Sequence, residues 1–180
     1  THISNFRKVK RVDDVVKIFY KTQQTINSKL IMVGEGPEVQ PAKKLAHELG
    51  ISDKIMFLGE SNDIDKILCF SDLFLLPSEK ESFGLAALEA MVNGVPVISS
   101  NTGGLPEVNK EGFSGYLSEV GNVEEMAKNA IHILSDDHRL QQFKLNAKKM
   151  ALKFDTDTVI PQYEEIYNRA ASNLNAKFTD

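Results

Sequence analysis

The stretch Leu30-Ile31-Met32-Val33-Gly34-Glu35-Gly36-Pro37 is apolar without alternation and stops at a glycine. A strand with one wet face alternates apolar and polar residues; a strand covered on both faces, as in a parallel sheet, does not. The same kind of run recurs at Ile55-Met56-Phe57-Leu58, closed by Gly59, and at Leu73-Phe74-Leu75-Leu76, ended by Pro77. It appears again at Val95-Pro96-Val97-Ile98 and, shorter, at Gly115-Tyr116-Leu117, and His2–Phe6 supplies a first strand. Between these runs lie stretches with helical spacing. Asp13–Gln23 follows Val12 and puts Val15, Val16 and Phe19 on one face. Further helices are predicted from Pro37 to Leu49, stopped by Gly50, then over 64–70 and over 83–93, stopped by Gly94. Three more, at 122–134, 137–153 and 157–172, finish the chain. Such alternation predicts an α/β fold: a Rossmann-like, doubly wound parallel sheet of about six strands with right-handed crossovers and C-terminal helices. With no repeat or low-complexity linker, residues 1–180 are expected to form one domain.

The 180 residues are 42% hydrophobic and 26% charged, the balance of a globular protein with a core of its own. A net charge of −4 argues against a general nucleic-acid binder. No apolar run approaches the roughly 18 residues of a membrane span. The start, Thr1-His2-Ile3-Ser4-Asn5, has no signal-peptide pattern and no Met, so the chain is expected to be a cytoplasmic piece of a longer protein. The single cysteine, Cys69, lies in an apolar run and is expected to be a buried small hydrophobe in a reducing compartment. His2, His47, His132 and His138 have no ligand-like spacing, so no metal is expected. Asp63-Ile64-Asp65 and Asp155-Thr156-Asp157 read as helix caps rather than metal sites.

Ligands of doubly wound sheets bind beyond the carboxyl ends of the strands. That directs attention to Phe6–Lys10, Gly34–Pro37, Gly59–Ser61, Ser78–Gly84 and Ser99–Gly104. In Glu81-Ser82-Phe83-Gly84-Leu85-Ala86-Ala87-Leu88-Glu89, the helix start near Phe83 offers free N–H groups to an anion such as a diphosphate. Gly84 permits close approach of a ligand, and Ser82 is a candidate N-cap. Glu81 before the turn and Glu89 about two turns along can accept hydroxyl hydrogen bonds from a nucleotide-sugar. Taken singly, each glutamate reads more plainly as a favourable charge at a helix start or as a surface residue, although Leu88, Ala90 and Met91 flank Glu89. Arg7, Lys8, Lys10 and Arg11 form a basic cluster, ordinarily a solvated face and otherwise a phosphate contact. Gly34-Glu35-Gly36-Pro37-Glu38-Val39 matches a dinucleotide fingerprint incompletely, with Val39 at the third glycine, and reads as a tight turn.

The pair Glu81 and Glu89 with Phe83-Gly84-Leu85 between resembles the E-x7-E signature of retaining GT-B glycosyltransferases of family 4. Phe74-Leu75-Leu76-Pro77-Ser78 before it, and Gly94-Val95-Pro96-Val97-Ile98 and Gly103-Gly104-Leu105-Pro106-Glu107 after it, are similar as well. The resemblance covers nearly the whole chain and is to the C-terminal, donor-binding half; the N-terminal acceptor half is expected to be absent, and 157–172 to be a helix crossing back toward it. The resemblance implies that Glu81 contacts the sugar, that Ser82, Phe83, Gly84 and Leu85 meet the sugar and diphosphate, and that Glu89 binds the ribose. It implies that backbone groups of Leu58, Gly59 and Glu60 grip the base, and that Lys10 holds the diphosphate. The family's Arg is Asn5 here, a departure that removes one charge, with Arg7 the nearby candidate to replace it. Ser4-Asn5-Phe6 in place of the usual Gly-Arg-Leu narrows the resemblance to a branch acting in bacterial bacillithiol synthesis. That branch implies UDP-N-acetylglucosamine as donor and L-malate as small acceptor, held mainly by the missing half.

The implied activity is metal-free transfer of a hexose-type sugar with retention, by front-face attack, with Lys10 and Glu81 as the catalytic residues and no cofactor beyond the UDP-sugar substrate. The chain alone is expected to be inactive. Two other readings compete: a UDP-sugar epimerase of the same architecture, and a non-catalytic, flavodoxin-like binding module. The Glu81/Glu89 pattern and the Gly103-Gly104-Leu105-Pro106-Glu107 loop argue against the first, and Lys10 opposite two acidic residues against the second. Neither a nucleic-acid partner nor a membrane anchor is expected.

Overall fold

The computed structural model describes the backbone of residues 1–176 and the side chains of residues 1–169; residues 177–180 of the expected domain lie outside the described residues. Strands β1 (His2–Ile3), β2 (Leu30–Val33), β3 (Ile55–Gly59), β4 (Phe74–Leu76), β5 (Val97–Ser100) and β6 (Gly115–Ser118) alternate with helices. These are α1 (Val12–Gln23), α2 (Val39–Glu48), α3 (Ile64–Cys69), α4 (Leu85–Val92), α5 (Leu105–Val108) and α6 (Val123–Leu134). Two more, α7 (Asp137–Ala151) and α8 (Thr156–Ala176), follow at the end. All strand pairings are parallel.

The expected single sheet is divided into two three-stranded sheets, β3-β2-β1 and β4-β5-β6. They meet edge to edge at β1 and β4. Leu75 N–H donates to the Thr1 carbonyl at 2.9 Å, and the Thr1 nitrogen donates to the Leu73 carbonyl at 2.8 Å. The ladder goes no further because a side chain takes the next acceptor: the His2 ring sits with Nδ1 2.8 Å from the Leu75 carbonyl. The carbonyl requires Nδ1 to carry the proton, so Nε2 accepts from the Ser4 hydroxyl 2.8 Å away. His2 is fully buried and stacks near Phe74 and Phe6. The strand order across this seam, 3-2-1-4-5-6, is that of the Rossmann arrangement.

Alternate residues of β4 and β5 serve opposite layers. Leu75 and Ile98 join Val15, Val16, Phe19, Met126 and Ile133 on the α1/α6 side. Phe74, Leu76 and Val97 join Leu68, Met91, Leu105 and Met150 on the other. Each fully buried aliphatic or aromatic side chain contributes about 1.5–3 kcal/mol, which is why both faces of the sheet are apolar in sequence.

Several expectations need correction. His2–Phe6 is a strand only over its first residues, although Phe6 N–H still donates to the Glu35 carbonyl at 2.9 Å. Cys69 is exposed, its thiol facing the Asn93 amide oxygen at 3.3 Å; Leu68, one position earlier, takes the buried place on the short α3. Ser82 does not cap α4, because Gly84, with φ 96°, turns the chain one residue before the helix. Asp63 stands at the N-cap of α3 without capping it and pairs with Lys66 at 2.7 Å, whereas the Asp155 carboxylate does accept from Asp157 N–H at 3.1 Å. The four-residue α5, with Pro106 in its first turn, was not expected.

Candidate functional site

The loops at the carboxyl ends of β1, β2, β4 and β5 are built against one another. After β1 the chain makes a 3-10 turn, Lys8–Lys10, and enters α1 through Arg11 at φ 49°. Arg11 is the one non-glycine residue with positive φ among the described residues, a conformation that strains an L-residue. Its Nε is held 2.5 Å from Asp14, which is buried in the first turn of α1. This sharp entry leaves Lys10 facing the loop after β4. There Glu79 N–H donates to the Val9 carbonyl at 2.8 Å, and the Lys10 ammonium lies 2.6 Å from the Glu81 carboxylate. Both side chains are mostly covered, at 20% and 14% exposure.

Glu81 is held from behind by the loop after β5. Gly104 N–H donates to the Glu81 carbonyl at 3.1 Å. Gly103 has φ 54°, and a Cβ there would stand 1.8 Å from that carbonyl oxygen. Only glycine permits this approach. Beyond Glu81, Gly84 ends the loop, and α4 begins with no side-chain cap. Ala87 N–H donates back to the Gly84 carbonyl at 3.0 Å, which leaves the Leu85 and Ala86 amides as those open to an anion among the described residues.

Phe83 turns its ring edge-on to Phe154, with centroids 5.7 Å apart, and so ties this loop to the turn before α8. Ser82, Leu85 and Glu89 are exposed. The Glu89 carboxylate has no hydrogen-bond or ion-pair partner among the described residues. Against the expectation drawn from its apolar neighbours, it is a surface side chain in the ligand-free chain.

The structure thus brings Lys10 and Glu81 into contact, with Ser82, Phe83, Gly84 and Leu85 leading into α4. Asn5 and Arg7 lie on the loop after β1, both exposed and without side-chain partners among the described residues. Leu58 and Gly59 end the edge strand β3, and Glu60 follows it. Register slips there, with Met32 opposite Phe57 and Val33 opposite Gly59, so Leu58 is skipped and 47% exposed. The Gly59 carbonyl already accepts from Gly34 N–H at 2.7 Å. Gly34 itself packs on β1: a Cβ there would meet the Ser4 carbonyl oxygen at 1.9 Å. The Gly34–Gly36 turn is therefore a packing device.

Sequence reading named Arg11 in the basic cluster and Gly103 in the loop after β5 without their bracing roles, and did not single out Asp14. Of these, only the glycine doublet carried a local signal. A cavity of about 610 Å³ opens at the other pole, lined among others by Phe19, Leu30, Leu73 and Leu140. It lies at the amino ends of the strands, away from these loops.

Residues 1–150 match the family described as glycosyl transferases group 1. A Bacillus anthracis protein described as N-acetyl-alpha-D-glucosaminyl L-malate synthase is 46% identical over 167 residues, 92% of this chain and 44% of that protein. The D-inositol 3-phosphate glycosyltransferase of Corynebacterium glutamicum is 32% identical, over 83% of this chain and 37% of its own length. The chain spans less than half the length of both relatives. Anabaena HepE, solved in complex with UDP, superposes with a TM-score of 0.84 at 27% identity, over 93% of this chain and 48% of that one. TarM of S. aureus shares the fold, with a TM-score of 0.85 at 23% identity, over 93% of this chain and 34% of that one. With the family match running across both sheets and the loops between them, the chain belongs to the group 1 glycosyl transferases, of the GT-B, family-4-like kind.

Proposed function

We propose that this chain is the donor-binding half of a retaining glycosyltransferase that takes UDP-N-acetylglucosamine and passes its sugar to L-malate. The observation that carries the reading is the contact between Lys10 and Glu81 directly before the uncapped start of α4. It joins a cation and an amide cluster for a diphosphate to a carboxylate for sugar hydroxyls. The likeness to the B. anthracis L-malate synthase supports the choice of sugar and acceptor, and the UDP complex of HepE supports the nucleotide.

In this reading the diphosphate sits over the first turn of α4, met by Lys10, Asn5 and the amides of Phe83, Gly84 and Leu85. Negative charge grows on the diphosphate as the sugar bond breaks, and preorganised donors lower that barrier without a divalent metal. Glu81 orients the sugar, Glu89 accepts from the ribose hydroxyls, and the backbone of Leu58–Glu60 edges the base. The acceptor attacks from the same face as the leaving diphosphate, so configuration is retained and no enzymic nucleophile is used. Closure of a second half over this surface excludes water. In α8, Ile160, Tyr163, Ile166 and Tyr167 are 52%, 59%, 60% and 70% exposed, an apolar stripe suited to a helix that crosses to that half.

The test is Lys10→Ala in the full-length enzyme. Turnover falls at least a hundredfold, as for loss of a transition-state charge donor; because Lys10 and Glu81 are mostly covered, the variant also melts somewhat lower, but with a single cooperative transition. Normal turnover by the folded variant removes Lys10 from the mechanism.

A further inference from the structure

The ion pair between Lys10 and Glu81 has a consequence for which ligand the site prefers. The Glu81 backbone is fixed by Gly104, so its carboxylate cannot withdraw from Lys10 by moving the loop. Arg7 and Lys8 point into solvent, and Arg11 is engaged by Asp14. Glu81 is the carboxylate that neutralises Lys10 among the described residues. A diphosphate reaching Lys10 must therefore compete with a carboxylate already in contact with it.

We propose that Glu81 is a charge gate that disfavours free nucleoside diphosphate relative to the intact sugar nucleotide; the inference rests on the donor-site reading above. When a diphosphate alone reaches Lys10, the Glu81 carboxylate must share that cation with a second anion and gains no donor from the ligand, which is unfavourable for a mostly covered charge. When the diphosphate carries a sugar, hydroxyl groups donate to the released carboxylate and restore its hydrogen bonds. The sugar is thus sensed through an exchange of partners at one carboxylate. Once the sugar has left, the same carboxylate competes for Lys10 again and speeds loss of the diphosphate product.

The experiment measures UDP and UDP-N-acetylglucosamine binding to the full-length protein by calorimetry, for wild type, Glu81→Gln, Lys10→Ala and the double variant. Glu81→Gln keeps the shape and removes the charge. It binds UDP about five- to tenfold more tightly than wild type, the effect expected for removing one nearby like charge in a partly screened site. Its affinity for the sugar nucleotide does not rise in step, so the preference for the sugar nucleotide over UDP falls. The gain disappears when Lys10 is also absent, and Glu48→Gln, remote on α2, changes nothing. Should Glu81→Gln fail to give a native melting transition, Glu81→Ala carries the same expectation. Equal or weaker UDP binding by a folded Glu81 variant overturns the gate and leaves the donor site standing. Absence of UDP binding by wild type refutes the donor-site reading, and the gate with it.

Discussion

His2 carries a pH dependence that its position dictates. Burial strips water from the imidazolium and pushes its pKa down to about 4; the charge on Lys10 acts in the same direction, against the pull of the Leu75 carbonyl. The folded state therefore holds a neutral ring where the unfolded chain, with a pKa of 6.5, binds a proton. The contribution of His2 to stability is full above about pH 6.5, declines as pH falls, and levels off below the folded value. The fall from 6.5 to about 4 corresponds to about 3 kcal/mol at most. Urea denaturation at pH 7 and pH 5 is expected to show this loss, and His2→Asn to flatten that part of the profile. An unchanged slope in the variant refutes the assignment. Glu89 is the opposite kind of residue. It is exposed and has no ion-pair or carboxylate hydrogen-bond partner among the described residues, so Glu89→Ala should leave stability within about 0.5 kcal/mol of wild type while weakening UDP binding.

At the scale of elements, two glycines make a matched pair. Gly103 (φ 54°) presses on the Glu81 carbonyl, whereas a Cβ at Gly112 (φ 66°) would meet nothing within 4 Å among the described residues. Gly112→Ala meets only the strain of the left-handed region, about 1–2 kcal/mol. Gly103→Ala meets the same strain and also displaces the Glu81 loop, so it should destabilise clearly more and abolish UDP binding. Equal melting temperatures and equal binding for the two variants contradict the bracing role of the Gly103-Gly104 turn.

What was readable in the sequence follows from the same physics. The unbroken apolar runs at Leu30–Val33 and Leu73–Leu76 announced strands covered on both faces, because burial on both faces leaves no place for polar alternation. Glu81 and Gly84 stood out because a strand end followed by a helix start has limited uses. The seam was hidden: one buried histidine side chain stops the β1–β4 ladder, and nothing in local spacing marks it. Arg11 in a left-handed turn and Gly84 in place of Ser82 as cap were hidden too, since backbone conformation there is set by the neighbouring loops.

At the scale of the whole molecule, six parallel strands gather Lys10, Glu81 and the start of α4 at one pole, and the seam runs directly beneath them. The Lys10–Glu81 and Val9–Glu79 contacts close the seam at its carboxyl end, as Thr1 and His2 do at the other. A donor bridging the two loops would clamp both sheets, so saturating UDP is expected to raise the melting temperature through linkage. Because the diphosphate charge is met by Lys10 and backbone amides in this account, transfer by the full-length enzyme should survive EDTA; loss of activity restored by a divalent cation counts against it.

The most direct test of the central claim is calorimetric titration of this chain with UDP and GDP, for wild type and Glu89→Ala. The account predicts that wild type binds UDP in preference to GDP, and that the folded Glu89→Ala variant loses most of that affinity. UDP binding that is unchanged by Glu89→Ala would contradict a donor site on the Lys10–Glu81–α4 surface.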